Sequence, residues 1–297
     1  MLDKIEFFET TGGRRDLTAE RDRVLSELRT HLQSSGRDVV VTPVPGGTLG
    51  ICFDTTISGE RRFLKTHLPG AKARASLAQE ADLLLRLYGN AVMLDRFDIS
   101  LADGTARLCV LMPMLAPLAA PMRPEAAASM AREWGEQFGN DRPKTIFTFE
   151  LYLTCAARAL TTLTDRDLLE AGSASEMRRH IAKLEDRLTR LPRALNHGDF
   201  GPKNIMVHGG KPLAIDWEDA FWGITGYDYL YWLTFMENRP FLRSAAFGRT
   251  ELGPDVERAI LALVVLLKSY LSVCSGAYLG HTVSIQARIA EILELPN

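Results

Sequence analysis

The sequence predicts an α+β protein with a strand-rich N-terminal lobe followed by a larger helical lobe. In the first third of the chain, short runs of apolar and β-branched residues alternate with glycine-rich turns. Their connections are short enough for an antiparallel sheet. After Pro113 the apolar spacing becomes typical of helices, and only residues 195–218 interrupt it.

The N-terminal lobe begins with a predicted helix over residues 18–33, in which Val24, Leu25, Leu28 and Leu32 share one face. A helix over residues 72–88 separates the third and fourth predicted strands. The five strands form an antiparallel sheet in this prediction and cover residues 39–41, 51–57, 62–65, 92–99 and 106–112.

The C-terminal lobe is mostly helical in this prediction. Ser173 and Glu176 have the spacing of a capping box, which predicts the start of the third helix. We expect an N-terminal lobe over residues 1–112, a hinge over 113–116 and a helical catalytic and acceptor-binding lobe over 117–297. The predicted helices cover residues 124–138, 149–170, 174–190, 228–237, 255–272 and 282–294.

Composition and charge exclude several classes of partner. The 297 residues include 35 basic and 37 acidic side chains, a net charge of −2, so neither a nucleic acid nor a membrane surface is an expected partner. The longest apolar run, Ala259–Leu267, is half of what a membrane span needs. The four cysteines lack metal-site spacing, and the acidic start does not resemble a signal peptide. We therefore expect a cytoplasmic protein.

The irregular segment contains the residues best suited to chemistry. It reads HGDFGPKN from His197 to Asn204, and a predicted hairpin then ends at Asp216. Mg²⁺ prefers oxygen ligands, and the side chains of Asn204 and Asp216 offer them, while Asp199 offers a base. Asp and Asn are also common turn residues, but the complete pattern is much rarer than an isolated turn.

This segment resembles the catalytic core of the aminoglycoside phosphotransferase and choline kinase superfamily, which has a bilobal protein-kinase-like fold. The resemblance covers about residues 40–235. It implies that Asp199 is the catalytic base, that Asn204 binds Mg²⁺ and that Asp216 is the principal Mg²⁺ ligand. The implied reaction is phosphoryl transfer, in which positioning and charge neutralisation provide most of the catalysis.

The N-terminal lobe contains what this resemblance requires, in the required order. A turn with Gly46, Gly47 and Gly50 joins the first two strands, Lys65 lies on the third, and Glu80 lies on the next helix. The resemblance implies that the turn and Lys65 bind nucleotide phosphates and that Glu80 holds the lysine. Each feature alone also fits a plain hairpin turn or an exposed side chain.

The predicted hinge supplies the expected adenine contacts. In the family the linker binds adenine through backbone hydrogen bonds, which implicates Met112 and Met114. Pro113 has no N–H group, so Met114 or a neighbour is the better donor. A simple interdomain linker is the alternative.

The sequence favours a small molecule over a protein as phosphate acceptor. The HGD segment lacks the arginine of many regulated protein kinases, and only eleven residues separate Asp216 from Asp228, which resembles the family's buried structural aspartate. Aminoglycosides, choline-type amines and sugars or polyols remain open as acceptors. Acidic and aromatic residues near the segment suit a cation, although the aromatic ones also suit a helical core: Trp217, Glu218, Asp219, Phe221, Trp222, Tyr227, Tyr229, Tyr231, Trp232 and Glu237.

The sequence thus predicts a kinase that uses ATP and Mg²⁺ to phosphorylate a hydroxyl group of a small molecule. A nucleotide-binding regulatory module without turnover is one alternative. A protein kinase or nucleotidyl transferase on the same fold is another. The choice between ATP and GTP, and the oligomeric state, stay open.

Overall fold

The computed structural model describes residues 1–11, 17–34, 36, 38–44, 50–138 and 142–296. The chain forms two compact units. The sheet unit contains Arg14–Pro117 and Met206–Glu218, and the helical unit contains Met1–Gly13, Leu118–Ile205 and Asp219–Asn297. Among the helices described, none has the length and apolar character needed to span a bilayer.

The predicted helices and strands occur in the predicted order, and the structure adds elements that the prediction lacks. The helices are α1 (Leu2–Thr11), α2 (Thr18–Gln33), α3 (Ala71–Tyr88), α4 (Pro124–Phe138), α5 (Phe149–Asp165), α6 (Ala171–Arg187), α7 (Tyr227–Leu233), α8 (Arg239–Ala245), α9 (Pro254–Cys274) and α10 (Ile285–Leu293). The strands are β1 (Val39–Val44), β2 (Gly50–Ile57), β3 (Glu60–His67), β4 (Asp95–Ser100), β5 (Ala106–Pro113), β6 (Ala116–Pro117), β7 (Phe147–Thr148), β8 (Arg193–Asn196), β9 (Ile205–His208), β10 (Lys211–Ala214) and β11 (Phe221–Ile224).

The sheet unit is built on a five-stranded antiparallel sheet in the order β1-β2-β3-β5-β4. Strand β5 is buried from Arg107 to Pro113 because it lies inside the sheet and helix α3 packs against it. A smaller sheet in the order β10-β9-β6 belongs to the same unit. The predicted α+β fold class is therefore confirmed.

Helix α9 is the centre of the helical unit. Residues 259–267, the longest apolar run of the sequence, are all buried there, and helices α1, α5, α6 and α10 pack against α9. An apolar helix surrounded by other helices needs no polar face. In the same unit, strand β11 pairs in parallel with β7 and antiparallel with β8, which leads directly into His197.

Several predicted boundaries are wrong by a few residues. The fourth strand begins at Asp95 because Gly89–Ala91 forms a 3₁₀ turn. The capping box is also wrong, since α6 begins at Ala171 and Ser173 Oγ instead accepts a hydrogen bond from Gln286 Nε2 at 2.9 Å. Helix α1 has no counterpart in the prediction.

Candidate functional site

Lys65 is the centre of a buried ionic cluster in the sheet unit. It lies on strand β3, which is paired on both sides, and its side chain is 9% exposed. The Lys65 Nζ atom lies close to three carboxylate oxygens: 2.7 Å from Glu80 Oε2, 2.6 Å from Asp216 Oδ1 and 3.3 Å from Glu218 Oε1. We call these four residues the lysine cluster.

The lysine cluster has more negative than positive charge. Burial lowers the pKa of Lys65, but the carboxylates of Asp216, Glu218 and Glu80 outweigh burial, so that this pKa lies well above its ordinary value. One ammonium faces three acids whose ligand atoms lie within 4.8 Å of one another. Such an oxygen donor set fits a divalent cation, and Asp216 is its most accessible member, with 32% of its side chain exposed.

Helix α3 holds the segment that carries Asp216. The second carboxylate oxygen of Glu80 accepts a hydrogen bond from the Asp216 backbone N–H at 3.0 Å. Gln79 Nε2 donates to the carbonyl oxygens of Trp217 and Glu218, each at 3.2 Å. Glu80 therefore fixes both the lysine and the backbone of the candidate metal ligand.

The backbone of Asp216 has a left-handed conformation, with a φ of 69°. Residues other than glycine rarely adopt this conformation, and aspartate and asparagine tolerate it best. The next residue, Trp217, is fully buried and donates from Nε1 to the carbonyl of Ala214 at 2.9 Å. Local strain at Asp216 is thus held in place by its neighbours, as is common at functional sites.

The structure places only some of the predicted nucleotide-binding residues. Gly46 and Gly47 lie outside the described residues. Gly50 begins strand β2, and a Cβ atom there would lie 3.3 Å from Lys65 Cε, so glycine leaves room for the lysine side chain. Met112 is buried on β5, whereas Met114 follows that strand and is half-buried.

We call the segment from His197 to Asn204 in the helical unit the HGD loop. Asp228, at the start of α7, fixes this loop. The Asp228 carboxylate accepts the backbone N–H groups of His197 at 2.6 Å and Gly198 at 3.0 Å. Burial raises the pKa of Asp228 to about 7, although the two N–H bonds act in the opposite direction. This buried carboxylate thus fixes the backbone on which the candidate base is carried.

Gly198 is required by its surroundings. Its φ is 81°, and a Cβ atom at this position would lie 2.2 Å from the carbonyl oxygen of Asp219. Both the conformation and the close approach exclude a side chain. The glycine in the middle of the HGD sequence therefore sets the path of the loop.

Both carboxylate oxygens of Asp199 have partners. Lys4 Nζ on α1 donates to Oδ2 at 2.6 Å, and the Tyr231 hydroxyl on α7 donates to Oδ1 at 2.6 Å. Burial raises the pKa of Asp199, but the Lys4 charge and these hydrogen bonds outweigh burial and hold this pKa well below its usual range. Asp199 is therefore a carboxylate at neutral pH.

Asn204, the second residue predicted to bind the cation, is also held by the loop. Its Nδ2 atom donates to the carbonyl oxygen of Asp199 at 2.8 Å. This bond orients the amide, so the side-chain oxygen of Asn204 is the atom able to coordinate a cation. Lys203 next to it is exposed.

The aromatic residues around the HGD loop belong mainly to the core of the helical unit. Tyr227, Tyr229, Tyr231, Trp232 and Phe221 are at most 3% exposed. Tyr231 is nevertheless a site residue, because its hydroxyl reaches Asp199. Sequence reasoning missed Lys4 and this role of Tyr231, since neither residue belongs to a recognisable pattern.

Comparison with protein families identifies the chain. The model of the phosphotransferase enzyme family matches residues 14–260. The chain belongs to this family. The match includes every residue of the lysine cluster and the HGD loop, and the predicted enzyme class, a small-molecule kinase, agrees with it. Among curated proteins, no sequence matches the chain.

Solved structures of small-molecule phosphotransferases and kinases are similar to this chain in fold. A GDP complex of an aminoglycoside 2′-phosphotransferase is 16% identical, with a TM-score of 0.59 and coverage of 93% of this chain and 95% of the other. Spectinomycin phosphotransferase, in complex with ADP and spectinomycin, is 13% identical, with a TM-score of 0.54 and coverage of 90% and 92%. Choline kinase LicA from Streptococcus pneumoniae is 14% identical, with a TM-score of 0.53 and coverage of 91% and 98%.

Proposed function

We propose that this phosphotransferase transfers the γ-phosphoryl group of ATP, in the presence of Mg²⁺, to a hydroxyl group of a small molecule. The observation that carries the proposal is the lysine cluster, in which one buried ammonium is surrounded by three acids, and one of them, Asp216, lies on strained and tightly held backbone. A structural ion pair needs one acid for one lysine. Three acids leave an excess of negative charge that a divalent cation would balance.

Each residue of the lysine cluster would have a different role in binding the nucleotide and its cation. Bound ATP and Mg²⁺ supply the transferable phosphoryl group and neutralise its charge. Asp216 would be the main cation ligand, with Asn204 as the amide ligand that the family resemblance implies. Lys65 would exchange part of its contact with Asp216 for phosphate oxygens, while Glu80 keeps its position.

Asp199 would act on the acceptor. A carboxylate that stays ionised at neutral pH can accept the hydrogen bond of an acceptor hydroxyl and then take up its proton. The Asp228 contacts fix the loop backbone, so the carboxylate does not need to be ordered at the moment of reaction. Positioning of this kind contributes strongly to phosphoryl transfer.

The acceptor class and the nucleotide base are open parts of the proposal. The solved structures named above are an aminoglycoside, a spectinomycin and a choline kinase, with GDP or ADP bound in two of them. Candidate acceptors are therefore aminoglycosides, amino alcohols, and sugars or polyols. The cytoplasmic location and the lobe boundaries also remain predictions.

The proposal is tested by two measurements on the wild-type protein and one variant pair. Calorimetry measures binding of ATP and GTP with and without Mg²⁺, and a coupled assay measures ADP or GDP release with a panel of hydroxyl acceptors. Lys65→Ala should weaken nucleotide binding, whereas Lys211→Ala, an exposed lysine of the same unit, should not. Nucleotide binding without product on the whole panel would instead favour a regulatory module.

A further inference from the structure

Helix α1 is a docked part of the helical unit. The side chains of Leu2 and Ile5 are buried, and α1 packs against α9. At the other end of the helix, the Glu9 carboxylate lies 3.2 Å from Arg158 Nε and accepts a hydrogen bond from the Tyr270 hydroxyl. Apolar contacts at one end and polar contacts at the other fix the position of α1 on this unit.

The docked helix carries Lys4 to the HGD loop. Lys4 Nζ and the Tyr231 hydroxyl each bond a different carboxylate oxygen of Asp199, both at 2.6 Å. Two donors on two oxygens stop the carboxylate from rotating about its Cβ–Cγ bond. An ionised carboxylate has about four lone-pair directions, so these two described bonds leave about two for an acceptor hydroxyl.

Tyr231 is itself held by a second lysine. Lys268 Nζ on α9 lies 3.8 Å from the centre of the Tyr231 ring and 3.4 Å from the centre of the Phe235 ring. This contact, together with the hydrogen bond that Lys268 Nζ donates to the Tyr231 carbonyl oxygen at 3.4 Å, holds the residue whose hydroxyl bonds Asp199. The described partners of the Asp199 carboxylate are thus anchored to the core helix α9.

We propose that Lys4 is a positioning residue for phosphoryl transfer, which holds the Asp199 carboxylate with its remaining lone pairs directed to the acceptor. This inference rests on the proposed function of Asp199 in that reaction. The alternative is that Lys4 blocks Asp199 and must leave before an acceptor binds. The anchoring of α1 favours positioning, and so does the fact that the two described bonds use only part of the accepting capacity of a carboxylate.

The test compares four variants with the wild-type protein in steady-state kinetics. Lys4→Met removes the charge at similar length, Lys4→Arg keeps a charge, and Tyr231→Phe removes only the hydroxyl. The control is Lys183→Met, which removes a surface lysine paired with Asp255 in the same unit. Melting temperatures identify any variant that has lost its fold.

We expect Lys4→Met to lower kcat by about tenfold, because a misdirected base costs rate rather than nucleotide affinity. The KM for nucleotide should change little, Lys4→Arg should recover much of the lost rate, and Tyr231→Phe should resemble Lys4→Met. Lys183→Met should behave like the wild type. A Lys4→Met enzyme with unchanged or increased kcat would overturn the positioning role.

A second readout separates this inference from the proposed function. The Lys4 ammonium group is observed by ¹⁵N NMR and assigned by its absence in Lys4→Met. Its signal should shift in Asp199→Asn and not in Asp186→Asn, an exposed acid of the same unit. A wild-type protein that phosphorylates nothing on the panel contradicts the proposed function. The NMR measurement then tests the contact between Lys4 and Asp199 on which the positioning role depends: an unshifted signal in Asp199→Asn overturns that role, and a shifted signal supports it.

Discussion

The lysine cluster of the sheet unit and the HGD loop of the helical unit hold their acidic residues in different ways. In the cluster, Glu80 and Asp216 surround a single lysine, so the acids outnumber the cations. In the loop, Asp199 faces a lysine and a hydroxyl, so the acid is matched by donors. The first arrangement suits a carboxylate that must bind a cation. The second suits a carboxylate that must stay oriented and ionised.

The comparison predicts its largest effect at Asp216. Asp216→Ala should reduce Mg²⁺-dependent turnover by about 10³-fold or more, because the variant loses the most accessible carboxylate ligand. Turnover as a function of Mg²⁺ concentration is the measurement. Asp98→Ala, which removes an exposed acid of the same unit, is the control. Wild-type Mg²⁺ dependence in Asp216→Ala would contradict the metal-binding role.

A smaller effect is expected at Asp199. Asp199→Asn keeps the size of the side chain but removes its charge, and turnover should fall by about 10²–10⁴-fold. Nucleotide affinity, measured by calorimetry on the same preparation, should stay close to that of the wild type. Loss of nucleotide binding would make Asp199 a structural residue, and near-normal turnover would leave it without a catalytic role.

The backbone of the HGD loop should be sensitive to substitution at Gly198. Gly198→Ala introduces a Cβ atom against the Asp219 carbonyl at a left-handed φ and should cost about 1–3 kcal/mol of unfolding free energy. Gly209→Ala is the matched control, because Gly209 also has a positive φ but has nothing within 4 Å of an added Cβ. Chemical denaturation measures both. Equal losses of unfolding free energy in the two variants would show that the positive φ, and not the close approach to the Asp219 carbonyl, destabilises Gly198→Ala.

The smallest effect is a pH dependence of the sheet unit. His67 follows Lys65 by two residues; it accepts the Leu108 backbone N–H at Nε2, at 3.1 Å, and its Nδ1 lies 2.7 Å from the Leu68 carbonyl. Burial lowers the pKa of His67, so the neutral form is favoured in the folded state.

Because the folded pKa of His67 is lowered, its contribution to stability is present above the unfolded pKa of about 6.5 and decreases as the pH falls below it. One such group changes the unfolding free energy by at most about 1.4 kcal/mol per pH unit. Denaturation midpoints between neutral and mildly acidic pH measure this change. A His67→Gln variant that keeps the full wild-type slope would assign the pH dependence to other groups.

The sequence predicts the sheet and the pairing of Lys65 with Glu80 because local patterns mark the elements that carry them, whereas the contacts of Lys65 with Asp216 and Glu218 appear only in the structure. Alternation and turn residues mark the strands, and Lys65 and Glu80 lie 15 residues apart on consecutive elements. Gly50 belongs to the glycine-rich turn that the sequence places between the first two strands. Asp216 is 151 residues from Lys65 in the chain, but it can be found because it ends a predicted hydrophobic hairpin.

The partners of Asp199 could not be predicted in this way. Lys4 is 195 residues from Asp199, and only the packing of α1 on α9 brings the two together. Helix α1 buries few apolar side chains and lacks a strong periodic face, so no clear pattern in the sequence predicts this helix. The capping-box error has the same origin, because Ser173 is used by Gln286, a partner more than a hundred residues away.

The left-handed backbone of Asp216 also limits which residues can replace it during evolution or design. The proposed cation site requires a carboxylate here, the backbone requires a residue that tolerates positive φ, and aspartate is the natural residue that best meets both conditions. Glutamate keeps the charge but strains the backbone, whereas asparagine keeps the backbone but loses the charge. Under the proposed function, Asp216→Asn is therefore the substitution best suited to producing a well-folded, inactive protein for trapping nucleotide and acceptor complexes.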